Sequence, residues 1–241
     1  MTKEPEKTAY IRKIMLETGI ETDEQTAEKL LLYYKLLSEK NKVMNLTAIT
    51  GFEEAVEKHF ADSLALLRFL DLNNMETLLD VGSGAGFPGI PLKIVCPGLS
   101  VSLLDAVNKK TEFQKEVGGA LSLNRFIPIH MRSEDAAKDP AYREQFDIVT
   151  ARAVANLATL AEYCLPFVKI GGIFAAYKTD LVDEELEEAK KAIRILGGTV
   201  EKVEKYRIAE NGRSIVLIRK EKGTPSKYPR KAGTPSKQPI R

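Results

Sequence analysis

Residues 78–105 read LLDVGSGAGFPGIPLKIVCPGLSVSLLD, and their pattern decides the fold. An apolar run (Leu78, Leu79, Val81) ends in a loop with glycines at 82, 84, 86 and 89. Ile90, Leu92, Ile94 and Val95 continue as a helical pattern that Pro97-Gly98 stops. A second apolar run (Val101, Leu103, Leu104) ends in Asp105. Strand, glycine turn, helix, strand and acid form the first half of a nucleotide-binding α/β sheet. Glycines at the turn let backbone approach a ligand with no Cβ in the way. Pro88 suits the start of a helix, where a missing N–H costs nothing. Asp105, 23 residues after Gly82, is placed to accept both hydroxyl protons of an adenosine ribose. A tight βα turn beside a surface Asp is the plainer alternative. The joint occurrence of loop and acid at this spacing speaks against it.

Two adenosine ligands fit the loop. Gly84-x-Gly86-x-x-Gly89 satisfies the dinucleotide fingerprint. Read from Gly82, the same loop is G-x-G-x-G, the form that suits S-adenosylmethionine. That cofactor has no pyrophosphate, and the glycines make room for its methionine moiety. The loop alone does not choose between them.

Composition narrows the classes. At 241 residues and 44% apolar, the chain buries a normal core as one α/β domain with an extension. No apolar run reaches the roughly 18 residues a membrane helix needs. The start, MTKEPEKTAYIRK, is too charged for a secretory signal, so a cytoplasmic location is expected. Cys96 and Cys164 lie far apart among apolar neighbours, which predicts buried thiols and no disulfide framework. With two His and no His/Cys cluster, no metal site is expected. The tail from Lys222 carries six basic residues and no acid; with net charge +2 overall, the body stands at −4. Such a distribution suggests that the tail touches a polyanion.

Taken in order, 9–17 reads as a weak helix and 22–40 as a firmer one. Thr22-x-x-Gln25 is a candidate capping box, and Ala27, Leu30, Leu31, Tyr34 and Leu37 form its apolar face. Residues 41–50 read as a loop and 52–70 as a third helix, on which His59 and Asp62 share a face. Asn45, His59 and Asp62 are the polar candidates of this segment, and a capped or core histidine explains them equally well. A short link at 72–75 leads into the sheet. After Asp105, a helix is predicted over 107–123, weakened by Gly118-Gly119. Strands follow at 125–130 and 146–149, the second ending in Thr150-Ala151-Arg152. Open α/β sheets bind ligands at the carboxyl ends of their strands, which places Arg152 over the ligand; a surface salt bridge is its bland alternative. A helix at 156–167, a strand at 172–177 and an amphipathic helix at 181–196 come next, with Glu187 facing Lys191 and a Gly197-Gly198 cap. Strands at 199–207 and 213–219 flank Glu210-Asn211-Gly212, whose Asn-Gly predicts a hairpin. A hairpin after strand five is the usual methyltransferase plan, whereas dinucleotide folds more often add a sixth parallel strand. The tail at 222–241 repeats Gly-Thr-Pro-Ser-Lys, at 223 and 233. Its composition predicts an arm that is extended or disordered in isolation. A solubilising tail is the plain reading; a phosphate-binding arm, with Tyr228 able to stack on a base, is the sharper one.

Together, certain pieces resemble the RsmG (GidB) family of bacterial small-subunit rRNA methyltransferases over nearly the whole chain. They are Asn45-Leu46-Thr47, His59-Phe60-Ala61-Asp62-Ser63-Leu64, DVGSGAGFPGIPL from Asp80, Leu104-Asp105 with Lys109-Lys110, Arg132-Ser133-Glu134, Ala151-Arg152-Ala153-Val154, and the tail from Tyr228. The resemblance implies a class I S-adenosyl-L-methionine-dependent methyltransferase fold. That is a Rossmann-like, mostly parallel seven-stranded sheet ending in an antiparallel hairpin, here with an N-terminal helical extension. The divisions expected are 1–72 for the extension, 73–221 for the methyltransferase domain and 222–241 for the basic tail. It implies methylation of N7 of one guanine in the decoding-region loop of 16S rRNA, in the small ribosomal subunit or an assembly intermediate. A monomer without membrane association is expected. Carried over by position, cofactor contacts fall on Gly82, Gly84, Gly86, Phe87, Asp105, Ser133, Glu134 and Arg152. The family usually has Gly where this chain has Thr179, so Lys178 stays off that set. Guanine N7 bears a lone pair and no proton, so no general base is expected. Arg132, Arg152 and Arg213 are the candidates for holding guanine or phosphate, because a planar guanidinium pairs with O6 or phosphate bidentately. A small-molecule methyltransferase, a nicotinamide oxidoreductase and a pure RNA-binding module are the competing classes. The first leaves the basic tail without a role, and the last has no need of Asp105 or the glycine loop.

Overall fold

The computed structural model of the chain describes residues 4–72 and 74–240. Two N-terminal helices, α1 (Glu4–Glu17) and α2 (Glu24–Met44), precede a helical segment broken in type. That segment runs as α3 (Phe52–Ala55), a π turn (Val56–Ala61), α4 (Asp62–Leu64) and a 3₁₀ turn (Ala65–Arg68). The sheet and its connections follow as β1 (Thr77–Val81), α5 (Gly89–Val95), β2 (Ser100–Asp105), α6 (Asn108–Ala120), β3 (Phe126–His130), α7 (Ser133–Ala136), β4 (Phe146–Arg152), α8 (Leu157–Cys164), β5 (Val168–Thr179), α9 (Val182–Ile195), β6 (Gly198–Ile208) and β7 (Asn211–Lys220). A short α10 (Thr234–Lys237) lies in the tail. The seven strands run in the order β3-β2-β1-β4-β5-β7-β6, with β7 alone antiparallel to its neighbours. The expected mostly parallel sheet with a terminal hairpin is therefore present, beside an N-terminal helical extension. No helix among the described residues is long and apolar enough to cross a membrane.

The order reverses between β1 and β4, both of which are buried, and ligands bind outside that switch point. One core forms on each face of the sheet. On one, Leu78, Val101, Leu103 and Ile148 pack with the helical extension through Leu30, Tyr33, Phe60 and Leu64. On the other, Leu79, Val149, Phe174 and Val216 pack with α8 and α9, and Tyr228 of the tail joins them. Cys164 is buried in the second core and Cys96 is half-buried, both as free thiols.

Several local readings shift. Helix α2 is capped by Asp23, whose carboxylate accepts the Thr26 N–H at 2.8 Å, and not by Thr22. Asp ranks above Thr as an N-cap. The helix continues to Met44 and ends on Asn45 at φ +49°, so Asn45 is a left-handed cap. On α9, Glu187 pairs with Lys190 at i,i+3 and not with Lys191. The hairpin turns on Ala209-Glu210, with Asn211 and Gly212 already paired to Ile208 and Arg207. Ala209 takes the positive φ that Asn-Gly was expected to supply. Gly118 also acquires a reason: a Cβ there would come within 2.7 Å of the Phe126 ring, so the glycine lets β3 close on α6.

The tail is neither detached nor extended. Arg143 donates to the carbonyls of Thr224 (2.7 Å) and Tyr228 (3.0 Å), and Arg230 forms an ion pair with buried Glu162 at 2.6 Å. Tyr228 is 9% exposed, so its ring serves the core and is not free to stack on a base.

Beneath the glycine loop, Asp80 is fully buried. Its Oδ2 accepts the Gly89 N–H at 2.9 Å and its Oδ1 accepts the Thr150 hydroxyl at 3.1 Å. Burial outweighs those hydrogen bonds and pushes the carboxyl up to about 7. The folded chain thus keeps a proton that the unfolded chain releases near its ordinary value of 3.8. Stability from this group is complete below that value and falls as pH rises to about 7. Asp80→Asn preserves both hydrogen bonds, with the amide oxygen toward Gly89 and the NH₂ toward Thr150. Denaturant unfolding at about pH 5 and pH 8 should show the wild-type chain losing on the order of 2–4 kcal/mol more than Asp80→Asn between the two conditions.

Candidate functional site

Two cavities open at the carboxyl ends of the strands. The first, about 240 Å³, lies over β1, β2 and β3, with Gly82, Asp105, Ser133 and Glu134 in its lining. Arg132, Ala106, Met131, Val154 and Tyr163 also line it, together with Gly233 and Ser236 from the tail. The second, about 360 Å³, lies over β4, β5 and β7, where Lys58, His59, Asp62, Arg152, Lys178 and Arg213 meet.

The loop between β1 and α5 is closed on itself. Gly82 and Ser83 donate their N–H groups to the Leu104 carbonyl, Gly86 and Phe87 donate theirs to Ser83 O, and Ile90 donates to Gly86 O. Gly84 N–H goes to Asp105 Oδ2 and Gly89 N–H to Asp80 Oδ2, each at 2.9 Å. These are the donors a pyrophosphate would need at a dinucleotide site, and they are engaged. The open choice between the two ligands therefore falls to the one without a pyrophosphate. At Gly82 a Cβ would come within 2.6 Å of Val154 Cγ2, and its φ of +68° favours glycine. Two side chains hold the loop from outside. Gln114 of α6 donates to Ser83 Oγ (2.9 Å) and Gly84 O (2.8 Å), and Tyr33 of α2 donates to Ala85 O (2.7 Å). The Gln114 Oε1 is buried with no hydrogen-bond partner among the described residues.

The first cavity fits an adenosyl group. Asp105 is 5% exposed and accepts one N–H at each oxygen, from Gly84 and from Val107, each at 2.9 Å. A carboxylate offers about four lone-pair sites, so acceptor capacity remains for a ribose diol. Ala106, Met131 and Val154 supply an apolar slot for a purine face. Ser133 donates to the Tyr163 carbonyl (2.8 Å), and the Glu134 carboxylate accepts the Gly233 N–H (2.9 Å). Any contact of Glu134 with a base edge therefore uses its remaining acceptor sites.

The second cavity is organised by Asp62. Its Oδ2 pairs with Arg152 Nη1 at 2.8 Å, its Oδ1 accepts the Tyr206 hydroxyl at 2.9 Å, and Arg213 Nε lies 3.7 Å away. The π turn presents His59 to this cavity, as such irregular turns often do at functional sites, and Asp62 follows it as the first residue of α4. His59 stacks on Phe87 at 4.4 Å between centroids, and its Nε2 lies 2.8 Å from Thr47 Oγ1. Its Nδ1 faces an Arg152 N–H at 3.5 Å. Nδ1 then carries the lone pair and Nε2–H donates to Thr47. Burial, with Arg152 adding repulsion, pushes His59 down to about 3, so the ring is neutral at physiological pH.

The structure divides the expected residues among three places. Gly82, Asp105, Ser133 and Glu134 line the first cavity, and Arg152 and Arg213 the second. Gly84, Gly86 and Phe87 line neither among the described residues; the first two shape the loop, and the Phe87 ring lies beneath His59 and Arg152. Arg152 is a lining residue of the second cavity and not of the first. Arg132 stands apart from the other two arginines, exposed at the N-terminus of α7 and lining the first cavity. Asn45 serves as a helix cap, while Thr47 is held by Asn41 through a pair of 2.9 Å hydrogen bonds and reaches His59. Tyr206, Tyr163 and Gln114 had no signal in sequence spacing, since each meets its partner across the fold. Among the described residues, no group of His, Cys, Asp and Glu side chains is arranged to hold a metal ion.

A family model described as "rRNA small subunit methyltransferase G" (GidB) matches residues 26–216. The chain is 46% identical over 241 residues to the Ribosomal RNA small subunit methyltransferase G of Acetivibrio thermocellus, covering 98% of this chain and 99% of that protein. It is 48% identical over 226 residues to the protein of that name from Pelotomaculum thermopropionicum, covering 93% and 95%. In fold it is similar to M. jannaschii TYW2 in complex with AdoMet (TM-score 0.56, 16% identity, 72% of this chain and 79% of that one). A SAM dependent methyltransferase from Aquifex aeolicus is also similar (TM-score 0.51, 19% identity, 68% and 92%). A chain matched along nearly its whole length by such relatives, with these two cavities at its strand ends, belongs to the GidB family of small-subunit rRNA methyltransferases G.

Proposed function

We propose that this chain methylates N7 of one guanine in the decoding-region loop of 16S rRNA, acting as a monomer on the small subunit or an assembly intermediate in the cytoplasm. Family membership carries the coarser statement: an S-adenosylmethionine-dependent methyltransferase of small-subunit rRNA. One observation supports the finer reading. Beside the adenosyl-sized cavity lies a second one lined by four basic side chains and two acidic ones, and among the described residues none there is poised as a general base. His59 is neutral with its lone pair turned to Arg152, Asp62 is ion-paired, and Lys178 pairs with Glu185 at 2.7 Å. Transfer to a ring nitrogen that already has a free lone pair needs no base, unlike transfer to an amine or hydroxyl.

When bound, S-adenosylmethionine supplies the electrophilic methyl. The residues of the chain then contribute position and charge. Arg213 is the more available guanidinium: its side chain is 30% exposed, and its buried Nε, 3.7 Å from Asp62 Oδ1, makes no hydrogen bond among the described residues. It is placed to hold guanine O6 or an adjacent phosphate. Arg152 is 13% exposed and tied to Asp62, so it sets the shape and potential of the cavity. Holding the reacting atoms in line can supply several kcal/mol of the barrier. Lys222, Lys227, Lys231 and Lys237 are exposed on the folded tail, which supports phosphate contact from the tail's outer surface.

Arg213→Ala should lower kcat/KM for methylation of small subunits about 30-fold or more, with S-adenosylhomocysteine affinity by calorimetry unchanged. Retained activity would remove Arg213 from the assignment. Arg152→Ala should lose activity and also melt earlier. It strands a buried carboxylate, at a cost of about 3–5 kcal/mol. Single-turnover methylation should be level between about pH 7 and pH 8.5, since His59 ionises far below that range. A rising limb with an apparent pKa inside it would indicate a general base and overturn the base-free reading.

A further inference from the structure

The repeated Gly-Thr-Pro-Ser-Lys occupies two different environments. The copy at 223–227 is an anchor. Thr224 N–H donates to Glu144 (2.7 Å), its hydroxyl donates to the Leu196 carbonyl (2.8 Å), and the fully buried Lys220 ammonium donates to the Thr224 hydroxyl and the Leu165 carbonyl. Arg230 then forks onto Glu162, which is 1% exposed. From that fixed point the chain crosses to the mouth of the first cavity. There Gly233 and Ser236 of the second copy line the cavity together with Asp105. Thr159 of α8 donates to the Pro235 carbonyl at 3.1 Å, and Pro235 is buried. Gly233 N–H donates to Glu134 Oε1 at 2.9 Å, so the tail orients the acid expected at the base edge.

We infer that the second copy, residues 233–236, is part of the cofactor site: it walls the adenine side of the first cavity and positions Glu134. The inference rests on reading that cavity as the adenosyl site. The two copies thus divide anchoring from ligand contact, although their residues are identical. The tail's effect falls on the adenosyl moiety, which S-adenosylmethionine and its demethylated product share. It is therefore visible without RNA. Ser236 is exposed at the mouth, where its hydroxyl donates to Gly233 O at 3.1 Å and meets the Tyr163 hydroxyl. The chain contains no tryptophan, so Ser236→Trp creates a sole fluorophore at that spot.

Two measurements use S-adenosylhomocysteine as the probe. A chain ending at Lys231 keeps the Arg143, Lys220 and Arg230 anchors, and calorimetry should find its Kd raised about tenfold or more. In full-length Ser236→Trp, emission should change and saturate with the probe. Truncation that leaves Kd within about twofold, or tryptophan emission unmoved while calorimetry still registers binding, would overturn the inference. Absence of binding heat with the unaltered chain is a different result: it would bring down the adenosyl reading itself.

Discussion

The buried ion pair between Asp62 and Arg152 joins two parts of the chain 90 residues apart, the start of α4 just after the π turn and the last residue of β4. Neither charge has ready access to water, and each needs the other. Tyr206 from β6 supplies the second hydrogen bond to Asp62, so the antiparallel hairpin is tied to the same point. Arg152 also lies 5.1 Å over the Phe87 ring, which fixes the far end of the glycine loop. The extension is thus a structural wall of the second cavity. It carries His59 and Asp62 to the strand ends, where an open α/β sheet by itself would offer only loop residues.

The glycine loop obeys a different constraint. Its N–H groups are consumed by Leu104, Ser83, Gly86, Asp105 and Asp80, leaving the loop shaped for close approach and unsuited to anion binding. Buried Asp80 is the cost of that closure. It accepts from the first residue of α5 and from Thr150, but remains a carboxyl in an apolar surround, pushed up to about 7. The fold accepts a destabilising acid under the loop because the loop's course requires an acceptor there. Strain of this kind concentrates at functional sites.

Much of this was legible in the residues. The alternation of apolar runs and glycine turns predicted the sheet, because parallel buried strands read as continuous Leu/Val/Ile segments. Asp105 was legible because one strand and one acid at a known spacing define it. The hairpin was legible as a place and not as a turn type, since Ala209 tolerates a positive φ where Asn-Gly nearby looked the better candidate. Arg132 was read together with Arg152 and Arg213 because each lies at or near a strand end; spacing does not report which strand ends share a cavity. The tail was misread for a compositional reason. Pro, Gly and Lys cannot build a core, but two acceptors on the body, half-buried Glu144 and buried Glu162, and the donors of Arg143 and Lys220 supply polar partners that composition does not show.

That tail changes how the charge distribution should be understood. Six basic residues at one end of a body at −4 suggested a free arm that finds polyanions by counterion release. In the folded chain the arm has a fixed course. Arg230 faces inward to Glu162, while Lys222, Lys227, Lys231 and Lys237 face outward along a path that ends at the adenosyl cavity. A phosphate backbone laid on those lysines would touch the segment that walls the first cavity. Nucleic-acid contact and cofactor retention are then two loads on one piece of backbone, and a free energy spent on either is felt by the other. A flexible arm would have kept the two binding events independent; a docked one couples them through Gly233 and Glu134.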